Sequence, residues 1–131
     1  MKNKILSFLM FLVSILWLSC SNNNLNKELN TMATNLNEAA PAQLDENTLF
    51  LGAQVDVDNT FKYLYQIINT NNADSIMNEM EEQTRDNIKE AFRINPDLAI
   101  FTANDINIEY VYHDSLGQVI KTIHITPQDY K

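Results

Sequence analysis

Between Ile106 and Ile125 the apolar residues fall at every second position. Ile106, Ile108, Tyr110 and Tyr112 precede Asp114-Ser115-Leu116-Gly117, and Val119, Ile123 and Ile125 follow it, with Lys121 on the same parity. Successive side chains of a strand point to opposite faces, so this alternation predicts two half-buried strands. Gly117 suits the positive φ of a hairpin loop. A four-residue loop sets Tyr112 by Val119, Ile108 by Ile123 and Ile106 by Ile125, and pairs His113 with Gln118. A three-residue loop would face Ile108 with His124, so the pattern selects four. A polar reverse face then carries Asn107, Glu109, His113 and His124, with Val111 and Ile120 as an apolar pair.

The same period appears earlier. Leu49, Leu51, Ala53, Val55 and Val57 alternate with Phe50, Gly52, Gln54, Asp56 and Asp58. Asp58-Asn59 is a turn signal, and Phe61, Tyr63, Tyr65 and Ile67 form a second alternating set. A two-residue loop would oppose Val55 with Lys62. Register follows the buried face, so an odd loop or a bulge is expected. Between the hairpins Ile76, Met77, Met80, Thr84, Ile88, Ala91 and Phe92 keep helical spacing from Ala73 onward, and Asn95-Pro96 ends that helix. Upstream, Leu25, Leu29, Met32, Leu36 and Ala39 predict a helix over 25–40, closed by Pro41. This helix is either docked on the domain or a partly frayed stalk. The expected fold is α+β, in the order α-β-β-α-β-β. Two hairpins make a four-stranded antiparallel sheet with helix packed on one face.

The start of the chain has a different character. Lys2 and Lys4 precede a run from Ile5 to Leu18 that is apolar except at Ser7 and Ser14, and the single cysteine, Cys20, follows Ser19. A 14-residue helix reaches about 21 Å, short of a hydrocarbon core of about 30 Å. Positive start, short apolar run and small residue form a secretory signal. Trp17-Leu18-Ser19-Cys20 resembles the lipobox of bacterial lipoproteins. That resemblance implies diacylglyceryl transfer to the Cys20 thiol, cleavage before Cys20 and acylation of the new amino terminus. Two or more chains make a stable anchor. Ser21, with no acid directly after the cysteine, implies the outer membrane by the sorting rule of that family. The expected organisation is a signal over 1–19, a lipidated cysteine and polar tether over 20–24, and one small domain over 25–131. The C-terminal half, ending Ile-Thr-Pro-Gln-Asp-Tyr, is similar to small exported bacterial proteins that carry no established activity.

Net charge bounds the partners. The whole chain is −8; without the signal, 7 basic and 17 acidic residues remain, net −10. Such a surface disfavours nucleic acid and anionic lipid. With Cys20 acylated, no disulfide, thiol nucleophile or cysteine metal ligand is expected. Among candidate sites, Glu109 and His124 share the reverse sheet face about two positions apart. They suit a base with an orienting carboxylate, or part of a metal site; the plain alternative is a solvated face. Tyr110 is grouped with them as a cleft-lining residue, within an alternating set (Tyr63, Tyr65, Tyr110, Tyr112) that is either core or a partly exposed aromatic patch for a peptide or glycan. Asp56 and Asp58 at a strand end lack the spacing of a calcium loop. Glu81 and Glu82, with Glu79, Asp86 and Glu90, acidify the outer half of the second helix and offer a docking face to a basic protein. The pair Val111 and Ile120 is a possible seed for a homodimer.

No catalytic residues, metal site or cofactor are expected, because no Gly-rich phosphate loop, G-x-S-x-G or HExxH occurs. The expected role is that of a lipid-anchored cell-envelope domain that binds a protein or serves as an accessory. Two alternatives are kept. One is a small-molecule, glycan or metal binder using the open sheet face; the other is a small hydrolase with His124 as base.

Overall fold

The computed structural model describes residues 21–131; the signal and Cys20 lie outside the described residues. The first helix, α1, runs Ser21–Asn37. It starts earlier than its apolar stripe, through residues read as a tether. Thr31 Oγ1 and Thr34 Oγ1 donate back to the Lys27 and Asn30 carbonyls at 2.9 and 2.8 Å, so polar side chains here follow the helix and do not end it. Its stripe docks: Leu29 and Ala33 are buried, with Leu25, Met32 and Leu36 packed partly against the same core.

Strands β1 (Ala42–Gln43), β2 (Thr48–Val55) and β3 (Phe61–Ile67) follow. Helix α2 spans Ala73–Ile94. A 3₁₀ turn at Pro96–Leu98 leads into a short helix α3, Ala99–Ala103. Strands β4 (Ile108–His113) and β5 (Val119–Ile125) form the last hairpin, and a one-turn helix α4, Pro127–Tyr130, closes the chain. Thr126 and Asp129 cap each other there, and Tyr130 is buried on Phe92 with ring centroids 5.0 Å apart.

The sheet has five strands in the order β1-β2-β3-β4-β5. It is mixed, because β3 pairs with β4 in parallel, Phe61 opposite Ile108 through Gln66 opposite His113. The expected four-stranded antiparallel sheet is corrected on both counts. β1 has only two residues, too few to show a period. The parallel pairing follows from α2, whose 22 residues rise about 33 Å. The helix carries the chain back past the whole sheet, so β4 starts where β3 started.

The first hairpin has a five-residue connection, Val55 opposite Phe61, and a bulge between Phe50 and Gly52. An odd loop or a bulge was expected, and both occur. The bulge exchanges faces: Phe50 and Ala53 are buried, while Leu51 is exposed, so the Leu49-Leu51-Ala53 face is corrected at that point. In the last hairpin the expected register is two residues off. Ile108 faces Ile125 and Tyr110 faces Ile123, with an irregularity beside His113. The faces are unchanged, since a shift of two preserves parity.

One core collects every helix on one face of the sheet. Phe61, Phe101, Leu29, Ile108, Ile123 and Ile125 are its largest fully buried side chains. Phe101 meets Phe61 edge-on at 5.0 Å, which seats α3 under β3. Tyr130 Oη donates to the Ile106 carbonyl at 2.8 Å, with the Phe101 carbonyl at 3.2 Å, tying the C-terminus to the turn before β4.

Candidate functional site

The stretch of α2 from Ile76 to Ile88 stands off the sheet and leaves a cavity of about 580 Å³. Its floor is Tyr65, Ile67, Tyr110 and Tyr112 from β3 and β4. Its roof is Ile76, Met77, Met80, Thr84 and Ile88, the stripe that helical spacing aligns. The loop from Leu44 to Asn47 forms one lip and brings Asp45 and Glu46 to the opening. Large rings on adjacent parallel strands explain the stand-off. Tyr63 stacks on Tyr110 at 5.0 Å, Tyr65 on Tyr112 at 5.1 Å, and Tyr65 lies parallel to Tyr110 at 6.2 Å. A helix packed over such rings must sit high unless its own residues fill the space, and the α2 residues there, Ile76, Met77, Met80, Thr84 and Ile88, are all smaller than the rings they face.

Desolvation dominates the chemistry of the floor. Burial pushes the Tyr112 hydroxyl up to about 12. Burial also raises Tyr65 and Tyr110, and adjacent tyrosines add to it. These phenols stay neutral at physiological pH and act as donors or acceptors on an apolar wall. Among the described residues no buried side-chain nitrogen or oxygen lacks a partner. Lys121 on β5 pairs with Tyr112, and its Nζ donates to Glu81 Oε2 at 2.9 Å. That bond pins α2 to β5 and lowers the Glu81 carboxyl below the usual range, with the Lys121 charge and Arg85 reinforcing it.

The residues named from sequence separate into three places. Glu109 and His124 are directly opposite each other, not two positions apart, with His124 Nδ1 and Glu109 Oε1 at 3.4 Å. They lie in a polar row, Gln54-Lys62-Glu109-His124, across the reverse face. Lys62 Nζ lies 2.8 Å from Asp56 and 3.2 Å from Glu109, and those two hydrogen bonds raise its pKa. Glu109 is thus already neutralised by a lysine, which works against a metal ion or an imidazole-orienting role. Among the described residues no group of three or more His, Cys, Asp or Glu is placed to hold a metal. Tyr110 is on the opposite face from Glu109 and belongs to the cavity. Glu81 is committed to Lys121 and Arg85, whereas Glu82 is exposed.

Val111 faces Thr122, not Ile120, and is buried, so the apolar pair expected to seed a dimer is not present. Met80, Thr84 and the 44–47 lip were missed as site residues. The tyrosine alternation was the available signal; the gap that makes it a site depends on where α2 lies.

The chain belongs to a domain family of unknown function, DUF8479, whose family model matches residues 24–120. No curated protein matches it. Three solved structures share the fold. A protein of Pseudomonas aeruginosa assigned as secreted aligns with TM-score 0.74 and 16% identity, covering 86% of this chain and 98% of its own. The type II secretion system pilotin AspS of Vibrio cholerae aligns with TM-score 0.59 and 18% identity, over 82% and 93% of the two chains. The pilotin EpsS of the Vibrio vulnificus type 2 secretion system gives TM-score 0.65 and 11% identity, over 83% and 94%. Among the described residues no helix is long and apolar enough to cross a membrane.

Proposed function

We propose that this chain is a non-enzymatic accessory of the bacterial cell envelope, anchored by lipid on Cys20. It holds an apolar, cation-bearing segment of a partner protein in the tyrosine-lined cavity. The observation that carries the reading is the cavity itself. Its walls are apolar on both sides and its lip bears Asp45 and Glu46. An apolar segment is held by area, and a neighbouring cation by the lip carboxylates and tyrosine faces. Pilotins of secretion systems with the same fold support an accessory role. The lipobox-like end at Cys20 and the following Ser21 support an outer-membrane location.

The test uses the full, lipidated chain in native envelopes. A photo-crosslinking residue at Met80 is compared with one at His124 on the reverse face. Met80 is half exposed at the cavity mouth, so Met80→Arg blocks the cavity without cutting into the core. The expected result is one envelope protein crosslinked from Met80 only. It should be lost in Met80→Arg at unchanged thermal stability, and lost in Cys20→Ala. The same protein crosslinked equally from His124, or retained by Met80→Arg, overturns the cavity as its seat. A second reading draws on size: 580 Å³ falls within the roughly 300–1,000 Å³ of small-molecule sites. A thermal shift with aromatic or glycan ligands, abolished by Met80→Arg, would favour it.

A further inference from the structure

We infer that the turn between β2 and β3, residues 56–60, is a second contact with the phospholipid bilayer. It is tied to the start of α1, the segment that follows Cys20 in the chain, and turns the tyrosine cavity away from the membrane. The inference rests on the lipid anchor proposed above.

Helix α1 begins at Ser21, the residue after Cys20, and consecutive Cα atoms are about 3.8 Å apart. Anchor and helix are therefore joined without slack. Five residues on, about 7.5 Å along the axis, Asn26 Nδ2 donates to Asn59 Oδ1 at 2.8 Å. This bond ties the turn to the part of α1 that the lipid holds at the surface.

The turn is stiff. Asp56 N donates to the Thr60 carbonyl and Asn59 N to the Asp56 carbonyl, both at 3.0 Å. Thr60 N donates to Asp58 Oδ1 at 3.1 Å, and Asn59 holds φ at 66°. What the turn sends outward is Val57, whose side chain is fully exposed. Its two flanking carboxylates lie at the surface of the turn, Asp56 paired with Lys62 at 2.8 Å and Asp58 accepting from Thr60 N at 3.1 Å, so they face the headgroup layer and only the isopropyl group projects beyond them. Lys27, exposed beside Asn26 on α1, is placed for headgroup phosphates. A bare isopropyl group suits the acyl boundary, and the net acidity of the chain selects a zwitterionic surface over an anionic one.

The orientation follows from strand direction. β3 and β4 both run away from this turn, and Tyr65, Ile67 and Tyr112 lie toward their far ends. With the turn in the headgroups, the cavity mouth opens into the space beyond the membrane, where a partner can enter.

The experiment exploits the tryptophan content. Trp17 is the only tryptophan, and it lies in the signal. A processed chain has none, so Val57→Trp and Leu116→Trp each introduce a single reporter, at the turn and at the opposite end of the sheet. Both are expressed as full chains, purified with their lipid and placed in phosphatidylcholine–phosphatidylethanolamine vesicles. The expected result has three parts. The parent floats with the vesicles and shows no tryptophan emission. The Val57→Trp emission shifts blue and is quenched several-fold less by iodide than the Leu116→Trp emission in the same vesicles. The Leu116→Trp emission stays aqueous. Floating protein whose Val57→Trp reporter is as open to iodide as Leu116→Trp overturns the membrane seat and leaves the anchor standing. A parent that does not float, or that retains Trp17 emission, overturns the anchor and the seat with it.

Discussion

Asn37 grips the backbone of Ala53 with both ends of its amide. Ala53 N donates to Asn37 Oδ1 at 2.6 Å, and Asn37 Nδ2 donates to the Ala53 carbonyl at 2.9 Å. The last residue of α1 thereby acts as a short partner strand for β2, at the point where β1 has ended. It satisfies an edge that would otherwise be open to another chain.

Gly52 is the residue that lets this clamp close. A Cβ there would stand 2.6 Å from Asn37 Oδ1, and its φ is +138°. Gly52→Ala should therefore cost about 2–3 kcal/mol, combining backbone strain with loss of the clamp. Asn37→Ala should cost about 1–3 kcal/mol. Thermal denaturation of the two single variants and the double variant measures this. The double variant should lose less than the sum of the singles, because both remove the same pair of bonds. Full additivity would disprove the link.

Asp129 makes stability depend on acid. Its carboxylate accepts from Thr126 N and from Thr126 Oγ1 at 2.8 and 2.9 Å and lies 3.4 Å from Lys89. The Thr126 backbone bond is the largest cause holding it below the usual carboxylate range. A depressed folded pKa means the contribution is present above the unfolded pKa, about 3.9, and is lost as pH falls through the folded value. Asp129→Asn should lower the Tm at pH 7 and flatten its decline below about pH 4. Tm measured against pH in the two proteins decides it.

The five tyrosines of the domain should titrate only as it unfolds. All have raised pKa values through burial, with Tyr112 and Tyr130 at about 12. A raised folded pKa gives stability that is complete below the unfolded value, about 10, and lost as pH climbs above it. Phenolate absorbance should stay flat to about pH 10.5 and then rise together with loss of far-ultraviolet circular dichroism. Early absorbance without unfolding would show an open tyrosine floor.

Two neighbouring glutamates should behave differently. Glu81→Lys places a cation against Lys121 and Arg85 and should loosen α2 from β5, lowering the Tm measurably. Glu82→Lys, on the solvent side, should change stability by less than about 0.5 kcal/mol. Equal effects would mean that the Lys121 contact at 2.9 Å does not hold the helix in solution.

Periodicity is a local property, and what depends on it was legible. The α2 stripe from Ile76 to Phe92, the docking stripe of α1 and the inward tyrosines of β3 and β4 follow from repeats of 3.6 and 2. The need for a bulge or odd loop in the first hairpin was legible too, because Val55 cannot face Lys62 without burying a charge. The sequence by itself could not place α2 in space. Whether β4 runs with or against β3 depends on the helix crossing the whole sheet, a distance no short window contains. The bulge at Leu51 was decided by Asn37, fourteen residues away, reaching Ala53. The two-residue slip of the last hairpin kept every face and so left no trace in the pattern. The cavity is the plainest case: its tyrosines were visible, but a gap is a relation between two elements, and only packing creates it.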